Sequence, residues 1–168
     1  GNIVVAILAG LIPLTVVTFE IPLLSDVYSD IILKTHVSFA YVFHWTACFS
    51  YFLFINMLIY EINKDIYSIN GDRADGIVTL PVKFGVPATR KIMAGLIAIA
   101  VISLILFLLF GFTRTPIVWI YFFVALIIPY LIYGYAVLKN DKMKFQLRMI
   151  RLIMVLCIGI SVFCKLCE

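Results

Sequence analysis

Apolar runs of about 20 residues recur along this chain, and they constrain its fold more than any other feature. A helix needs about 20 residues at 1.5 Å each to cross the roughly 30 Å hydrocarbon core of a bilayer. With 64% hydrophobic and 13% charged residues, the chain also carries far less charge than a soluble domain. The sequence therefore predicts an all-α integral membrane protein with about five transmembrane helices, forming a single membrane domain over residues 1–168. The predicted spans are residues 3–19, 37–60, 92–112, 117–138 and 147–166.

The amino terminus has neither an initiator Met nor the basic stretch of a signal peptide, because the chain opens with Gly1-Asn2 and continues directly into an apolar run. We therefore expect this chain to be the carboxyl-terminal fragment of a larger protein. No feature of the sequence suggests a nucleic-acid partner, whereas membrane lipids are expected to surround the chain.

The basic residues are concentrated in two connections between spans. Ten of the thirteen Lys and Arg residues lie in the second and fourth loops, which follow the second and fourth spans and so share one side of the membrane. The positive-inside rule predicts that this side is cytoplasmic, in a cell inner membrane. These cations are Lys64, Arg73, Lys83, Arg90 and Lys91 in the second loop, and Lys139, Lys142, Lys144, Arg148 and Arg151 in the fourth.

The second loop differs from the others because it mixes both signs of charge. Four of the nine acidic residues fall between positions 61 and 75. If the second span continues as a helix, Glu61, Asp65, Ser68 and Asp72 fall within about 60° of one another around its axis. Gly71 is expected to end that helix, so that Asp72 reaches this row only if the loop folds back.

Carboxylates at this spacing repel one another unless a cation lies among them, and Mg²⁺ with oxygen ligands fits such a set. Magnesium usually takes one or two carboxylates together with substrate phosphates. The neighbouring Lys64, Arg73 and Lys83 can balance further phosphate charge. The alternative is that this segment binds neither metal nor phosphate and is simply a solvated helix end, where residues of both charges are common.

The string EINKDIYSINGDRADGIVTLPVKFG, residues 61–85, resembles the second aspartate-rich motif of the UbiA-type prenyltransferases. It is closest to the geranylgeranylglyceryl phosphate geranylgeranyltransferase branch, whose pattern reads E-I-x-K-D-I-x-D-x-x-G-D-R-x-x-G-x-x-T-L-P. The resemblance implies half of a nine-helix UbiA-type bundle. It also implies Mg²⁺-dependent transfer of a prenyl group from a prenyl diphosphate to a lipid or aromatic acceptor.

By position, the resemblance assigns each residue of this segment a role. Asp65 and Asp72 are the predicted catalytic residues. The predicted metal ligands are Glu61, Asp65, Ser68 and Asp72, and the predicted diphosphate-binding residues are Lys64, Arg73 and Lys83.

Three positions depart from the family pattern. Ser68 replaces a usual Asp, Tyr60 replaces a usual Arg, and Val78 replaces a common basic residue. The family's first motif, Asn-Asp-x-x-Asp-x-x-x-Asp, does not occur in this sequence. The resemblance therefore implies a partner, the missing amino-terminal half of the same fold, and an incomplete active site in this chain alone.

Two other functions compete with this interpretation. Polar residues within the spans, such as His44, Thr46 and Asn56, would suit a transporter or channel fragment, although such residues more often form packing hydrogen bonds. The sequence Asp72-x-x-Asp75-Gly76 copies the opening of the CDP-alcohol phosphotransferase motif but lacks the residues that complete it.

Overall fold

The fold is helical throughout the residues described in a computed structural model of the chain, which are 1–29, 40–111, 116–139 and 142–166. No β-strand occurs among them, so the predicted all-α fold is confirmed. The helices are α1 (Asn2–Val27), α2 (Ala40–Ala74), α3 (Leu80–Phe84), α4 (Val86–Gly111), α5 (Pro116–Tyr121), α6 (Ile128–Lys139) and α7 (Met143–Leu166), with a π-helical turn at Phe122–Ile127 between α5 and α6.

Four helical segments in this described part are long and apolar enough to cross a membrane. They correspond to the first four predicted spans. The fifth predicted span forms one helix, α7, whose first turns carry several cations and which is not among the four. The four segments are Asn2–Val27, Val42–Ala74, Val86–Leu109 and Trp119–Lys139.

Helix α2 is longer than the sequence predicts, because Gly71 does not end it. The helix continues to Ala74, and the Asp75 amide still donates to the Gly71 carbonyl at 2.9 Å. A glycine inside a helix costs only about 1 kcal/mol relative to alanine, which hydrogen bonds on either side can outweigh. The turn comes instead at Gly76, whose φ of 69° lies in the left-handed region that glycine tolerates.

Helices α1 and α2 run antiparallel and approach closely at Gly10. A Cβ atom placed on Gly10 would lie 3.0 Å from Phe54 Cβ and 3.1 Å from the Ser50 carbonyl oxygen. A side chain at this position would therefore require the two helices to move slightly apart. This packing brings Asn2, at the start of α1, beside Asp65 near the end of α2.

The core lies between α2, α4, α6 and α7. The π-helical turn that precedes α6 comes just before Pro129, which has no amide hydrogen and would clash with the carbonyl four residues earlier in a regular helix. Large side chains that are fully buried include Ile59, Ile62, Met93, Leu104, Phe122, Leu126, Tyr130, Tyr133, Ile150 and Ile153.

The start of α1, the end of α2, the start of α4, the end of α6 and the start of α7 meet at one end of the bundle, which we call the polar end. Arg90 on α4 donates to the Val137 carbonyl at 3.3 Å, and Gln146 on α7 donates to the Ala136 carbonyl at 3.0 Å. The second and fourth loops therefore lie at the same end, as their basic residues predict.

Candidate functional site

The four predicted metal ligands lie on one unbroken helix at the polar end. We call Glu61, Asp65, Ser68 and Asp72 the acidic stripe. Glu61 and Asp65 are 7% and 8% exposed, whereas Ser68 and Asp72 are half-buried. Because α2 does not break at Gly71, helical periodicity alone aligns Asp72 with Asp65. The predicted fold-back of the loop at Gly71 is therefore not needed to bring Asp72 into line.

Asp65 is held by a residue from another helix. The Asn2 side-chain amide donates to Asp65 Oδ2 at 2.5 Å. A buried carboxylate needs such donors, because removing it from water is costly unless it is hydrogen-bonded. Asn2 was not predicted as a site residue, since it is 63 positions away from Asp65 in the sequence.

Asp72 accepts two hydrogen bonds on the same oxygen. Ser68 Oγ donates to Asp72 Oδ2 at 3.1 Å, and Thr79 Oγ1 donates to it at 3.3 Å. The Ile77 amide also donates to the Asp72 carbonyl at 2.8 Å, so the segment after α2 folds back against the helix end. Thr79 belongs to the motif string, but the sequence predicts no role for it.

Glu61 forms an ion pair with Lys64 at 3.2 Å, the one salt bridge among the described residues. The Lys64 side chain is 56% exposed and the Glu61 side chain 10% exposed. The acidic stripe is therefore buried at Glu61, whereas Lys64, the cation paired with Glu61, is exposed to solvent.

The other two predicted diphosphate-binding residues are exposed. Arg73 lies in the last turn of α2, where a cation interacts favourably with the helix dipole. Lys83 lies at the end of α3 with its Nζ 5.3 Å from the centre of the Phe84 ring. Neither is hydrogen-bonded to the stripe, but both lie at the polar end.

Within the described ranges, no three His, Cys, Asp or Glu side chains lie together as a metal-binding group. The described residues therefore do not form a closed metal cage by themselves. Asp65 and Asp72 lie about 10 Å apart along the helix. Each instead offers the kind of carboxylate oxygen that Mg²⁺ takes when water and substrate phosphate complete its shell, and Asp72 has the Ser68 hydroxyl beside it.

Two buried asparagines on α2 bond to tyrosines of α6. Tyr130 donates to Asn56 Oδ1 at 2.6 Å, and Asn63 Nδ2 donates to the Tyr133 hydroxyl oxygen at 3.1 Å. The Asn63 Oδ1 atom is buried without a hydrogen-bond partner. Asn56 thus makes a packing hydrogen bond, which is the ordinary role of such a residue between membrane helices. The seven-residue spacing of Asn56 and Asn63 was a sequence signal for this contact.

An apolar cavity of about 420 Å³ lies farther from the polar end, between α1, α2, α4 and α7. Phe52, on its wall, is thirteen residues before Asp65, or about 20 Å along α2. Aromatic rings line much of it, and Trp45 and Phe107 meet edge to face with centres 5.9 Å apart. The lining residues are Pro13, Val16, Val17, Trp45, Thr46, Cys48, Phe49, Phe52, Phe107, Cys157 and Ile158.

Comparison with curated proteins and with solved structures gave no match. The model of the UbiA prenyltransferase family, in contrast, matches residues 1–156. That match covers nearly the whole chain, including the acidic stripe and all the aromatic residues that line the cavity. The chain therefore belongs to the UbiA prenyltransferase family, a family of membrane enzymes that transfer prenyl groups.

Proposed function

We propose that this chain supplies one aspartate-rich half of a Mg²⁺-dependent active site, which moves a prenyl group from a prenyl diphosphate to a lipid or aromatic acceptor. One observation carries the proposal. Asp65 and Asp72 lie two turns apart on the same face of an unbroken helix, and each carboxylate accepts a hydrogen bond from a neighbouring side chain.

In the proposed reaction, the bond between the prenyl C1 and the diphosphate oxygen breaks, and its electron pair leaves with the diphosphate. The acceptor atom bonds to C1 and loses a proton. Mg²⁺, when bound, neutralises charge on the leaving diphosphate. Asp65 and Asp72 would each hold Mg²⁺ at their own position along the acidic stripe, with support from Glu61 and Ser68.

The proposed diphosphate-binding cations are Lys64, Arg73 and Lys83. Exposed Arg73 and Lys83 are free to approach an anion at the polar end. Lys64 is paired with Glu61, but an ion pair with a half-exposed partner contributes only about 0–1 kcal/mol. Lys64 can therefore turn towards a diphosphate at little cost, where it would stabilise charge that develops on the leaving group.

The apolar cavity is the proposed site for the far end of the prenyl chain. It lies about 20 Å along α2 from Asp65, so a long prenyl diphosphate with its head at the stripe would reach it. Its Trp45, Phe52 and Phe107 rings offer an apolar surface without charge.

We further propose that α1, α2, α4, α5–α6 and α7 form five spans, and that these make up half of a nine-helix bundle. The partner would be the amino-terminal half, which carries the first aspartate-rich motif. The proposed branch is the one that makes geranylgeranylglyceryl phosphate ethers, although Tyr60 and Val78 depart from its pattern. The polar end would face the cytoplasm of a cell inner membrane, because the basic loops lie there.

The test is turnover by this chain co-expressed with a half that carries the first motif, measured as Mg²⁺-dependent release of diphosphate. Asp65→Asn and Asp72→Asn should each lower turnover by about 10² or more, as expected when one group that stabilises charge in the transition state is lost. The control is Asp75→Asn, an exposed acid just beyond α2, which should stay within about threefold.

Loss of turnover in Asp75→Asn but not in Asp65→Asn would show that the stripe is wrongly assigned. Full turnover by this chain without its partner would contradict the proposal that the active site is shared between two halves.

A further inference from the structure

The outer face of α7 changes along its length from basic to apolar. Lys144, Arg148 and Arg151 are exposed, and Val155 and Ile158 follow them at 67% and 51% exposure. At 100° per residue, these five side chains fall within a sector about 80° wide. One continuous stripe therefore carries three cations and then an apolar surface.

The opposite face of α7 packs into the bundle. Gln146, Ile150, Ile153 and Cys157 are all buried. They follow the spacing of a helix face that contacts neighbouring helices. The basic stripe is consequently directed away from α2 and α6, and not into the candidate active site.

The three cations have no acidic partner within the described part of the chain, where Lys64–Glu61 is the one ion pair. Arg151 Nε donates to the Leu147 carbonyl at 3.1 Å, which directs the guanidinium along the helix. Residues 77–168 contain ten Lys and Arg but two acids, Asp141 and Glu168. This region of the protein therefore carries a strong excess of positive charge.

The direction of α7 suits contact with lipid headgroups. Side chains on a helix lean towards its amino terminus, and α7 begins at the polar end. The cations at 144, 148 and 151 thus lean out of the hydrocarbon, over about 10 Å of helix. Val155 and Ile158 lie deeper, as expected where the stripe enters the hydrocarbon.

We propose that Lys144, Arg148 and Arg151 bind the headgroup of an anionic phospholipid in the lipid layer around α7. Arg guanidinium groups bind phosphate oxygens in a bidentate manner, and Lys adds a third positive charge. A cation near an anionic membrane surface contributes roughly fivefold in affinity. The exposed apolar stripe below the cations offers a surface for the acyl chains of the same lipid.

The test is native mass spectrometry of the complete chain in detergent, titrated with phosphatidylglycerol or with phosphatidylcholine of the same acyl chains. We expect preferential binding of phosphatidylglycerol. The triple variant Lys144→Gln, Arg148→Gln, Arg151→Gln should bind it about 100-fold more weakly. The charge-preserving variant Lys144→Arg, which keeps both Arg side chains, should remain within about threefold of the original chain.

Equal affinity for both lipids, or unchanged phosphatidylglycerol binding by the triple Gln variant, would overturn the proposal. Competition by millimolar inorganic phosphate to the same extent as by lipid would also overturn it, because the site would then bind free phosphate. Circular dichroism of the triple variant in phosphatidylcholine checks that α7 still folds. If it unfolds, single Arg148→Gln replaces it, with Lys91→Gln at the same end as the matched control.

Discussion

The amide of Asn2 donates a 2.5 Å hydrogen bond to Asp65 Oδ2, joining the first turn of α1 to the buried carboxylate of the acidic stripe. The contact depends on the antiparallel packing of α1 and α2, which Gly10 allows. Asp72, two turns farther along α2, takes its hydrogen bonds from Ser68 and Thr79 instead. The two carboxylates are thus positioned by independent contacts, which allows each to be perturbed separately.

Asn2→Ala should lower the turnover of the complete two-half enzyme by about tenfold, because Asp65 loses the donor that fixes its orientation. It should also lower the thermal stability of the chain. The buried Asp65 carboxylate would lose its hydrogen-bond donor, which costs about 1–3 kcal/mol of folding free energy. The matched control is Asn70→Ala, which removes an exposed amide from α2, the helix that carries Asp65.

A double-mutant cycle distinguishes this role from a general effect on packing. Asn2→Ala should add little to Asp65→Ala, because both changes remove the same contact, but should add its full effect to Asp72→Asn. Additive effects in both pairs would mean that Asn2 acts without Asp65.

Helical periodicity predicted that Glu61, Asp65 and Ser68 share one face of a helix, whereas it reached Asp72 only with a fold-back of the loop, because Gly71 was expected to end the helix. The partners Asn2 and Thr79 were not predictable in this way. Asn2 reaches Asp65 only through helix packing, and Thr79 reaches Asp72 only through the turn at Gly76. The predicted break at Gly71 was wrong because composition alone does not weigh the cost of one glycine against the hydrogen bonds of a long helix.

Orientation in the membrane is open to a direct test with impermeant thiol reagents. Single cysteines placed at Arg73 and Lys142 should be protected in intact cells, whereas one at Arg114 should react. Arg73 and Lys142 belong to the second and fourth loops, which contain ten of the thirteen Lys and Arg residues and are therefore expected to be cytoplasmic. The chain's own cysteines are first replaced by Ala. Reaction at Arg73 and Lys142 with protection at Arg114 would reverse the proposed orientation.

Gly10→Ala should destabilise the contact between α1 and α2. Its new methyl group would lie 3.0 Å from Phe54 Cβ, so that the helices must separate slightly, at a cost of about 1–3 kcal/mol. Gly95→Ala is the matched control, because nothing lies within 4 Å of a Cβ at that position of α4. We expect Gly95→Ala to be neutral or to stabilise by up to about 1 kcal/mol, measured by thermal unfolding in detergent. An equal loss of thermal stability in both variants would show that the close approach of α1 and α2 at Gly10 does not determine the effect.

Ser68→Asp tests whether the acidic stripe is a metal site, by a readout that does not need catalysis. Ser68 Oγ lies 3.1 Å from Asp72 Oδ2 as a hydrogen-bond donor, so a carboxylate at position 68 would replace that bond with repulsion between like charges. Without a divalent cation, the variant should therefore unfold at a lower temperature than the original chain. With millimolar Mg²⁺ and a prenyl diphosphate analogue, metal binding to the added carboxylate should restore the lost thermal stability. The half-saturating Mg²⁺ concentration should also fall by roughly tenfold for one further charged ligand.

Ser68→Asn, of similar size but without charge, is the control and should show neither the loss of stability nor its recovery by Mg²⁺. If Ser68→Asp is destabilised equally with and without Mg²⁺ and diphosphate, no cation is shared along the stripe, and Asp65 and Asp72 are then structural residues at a helix end.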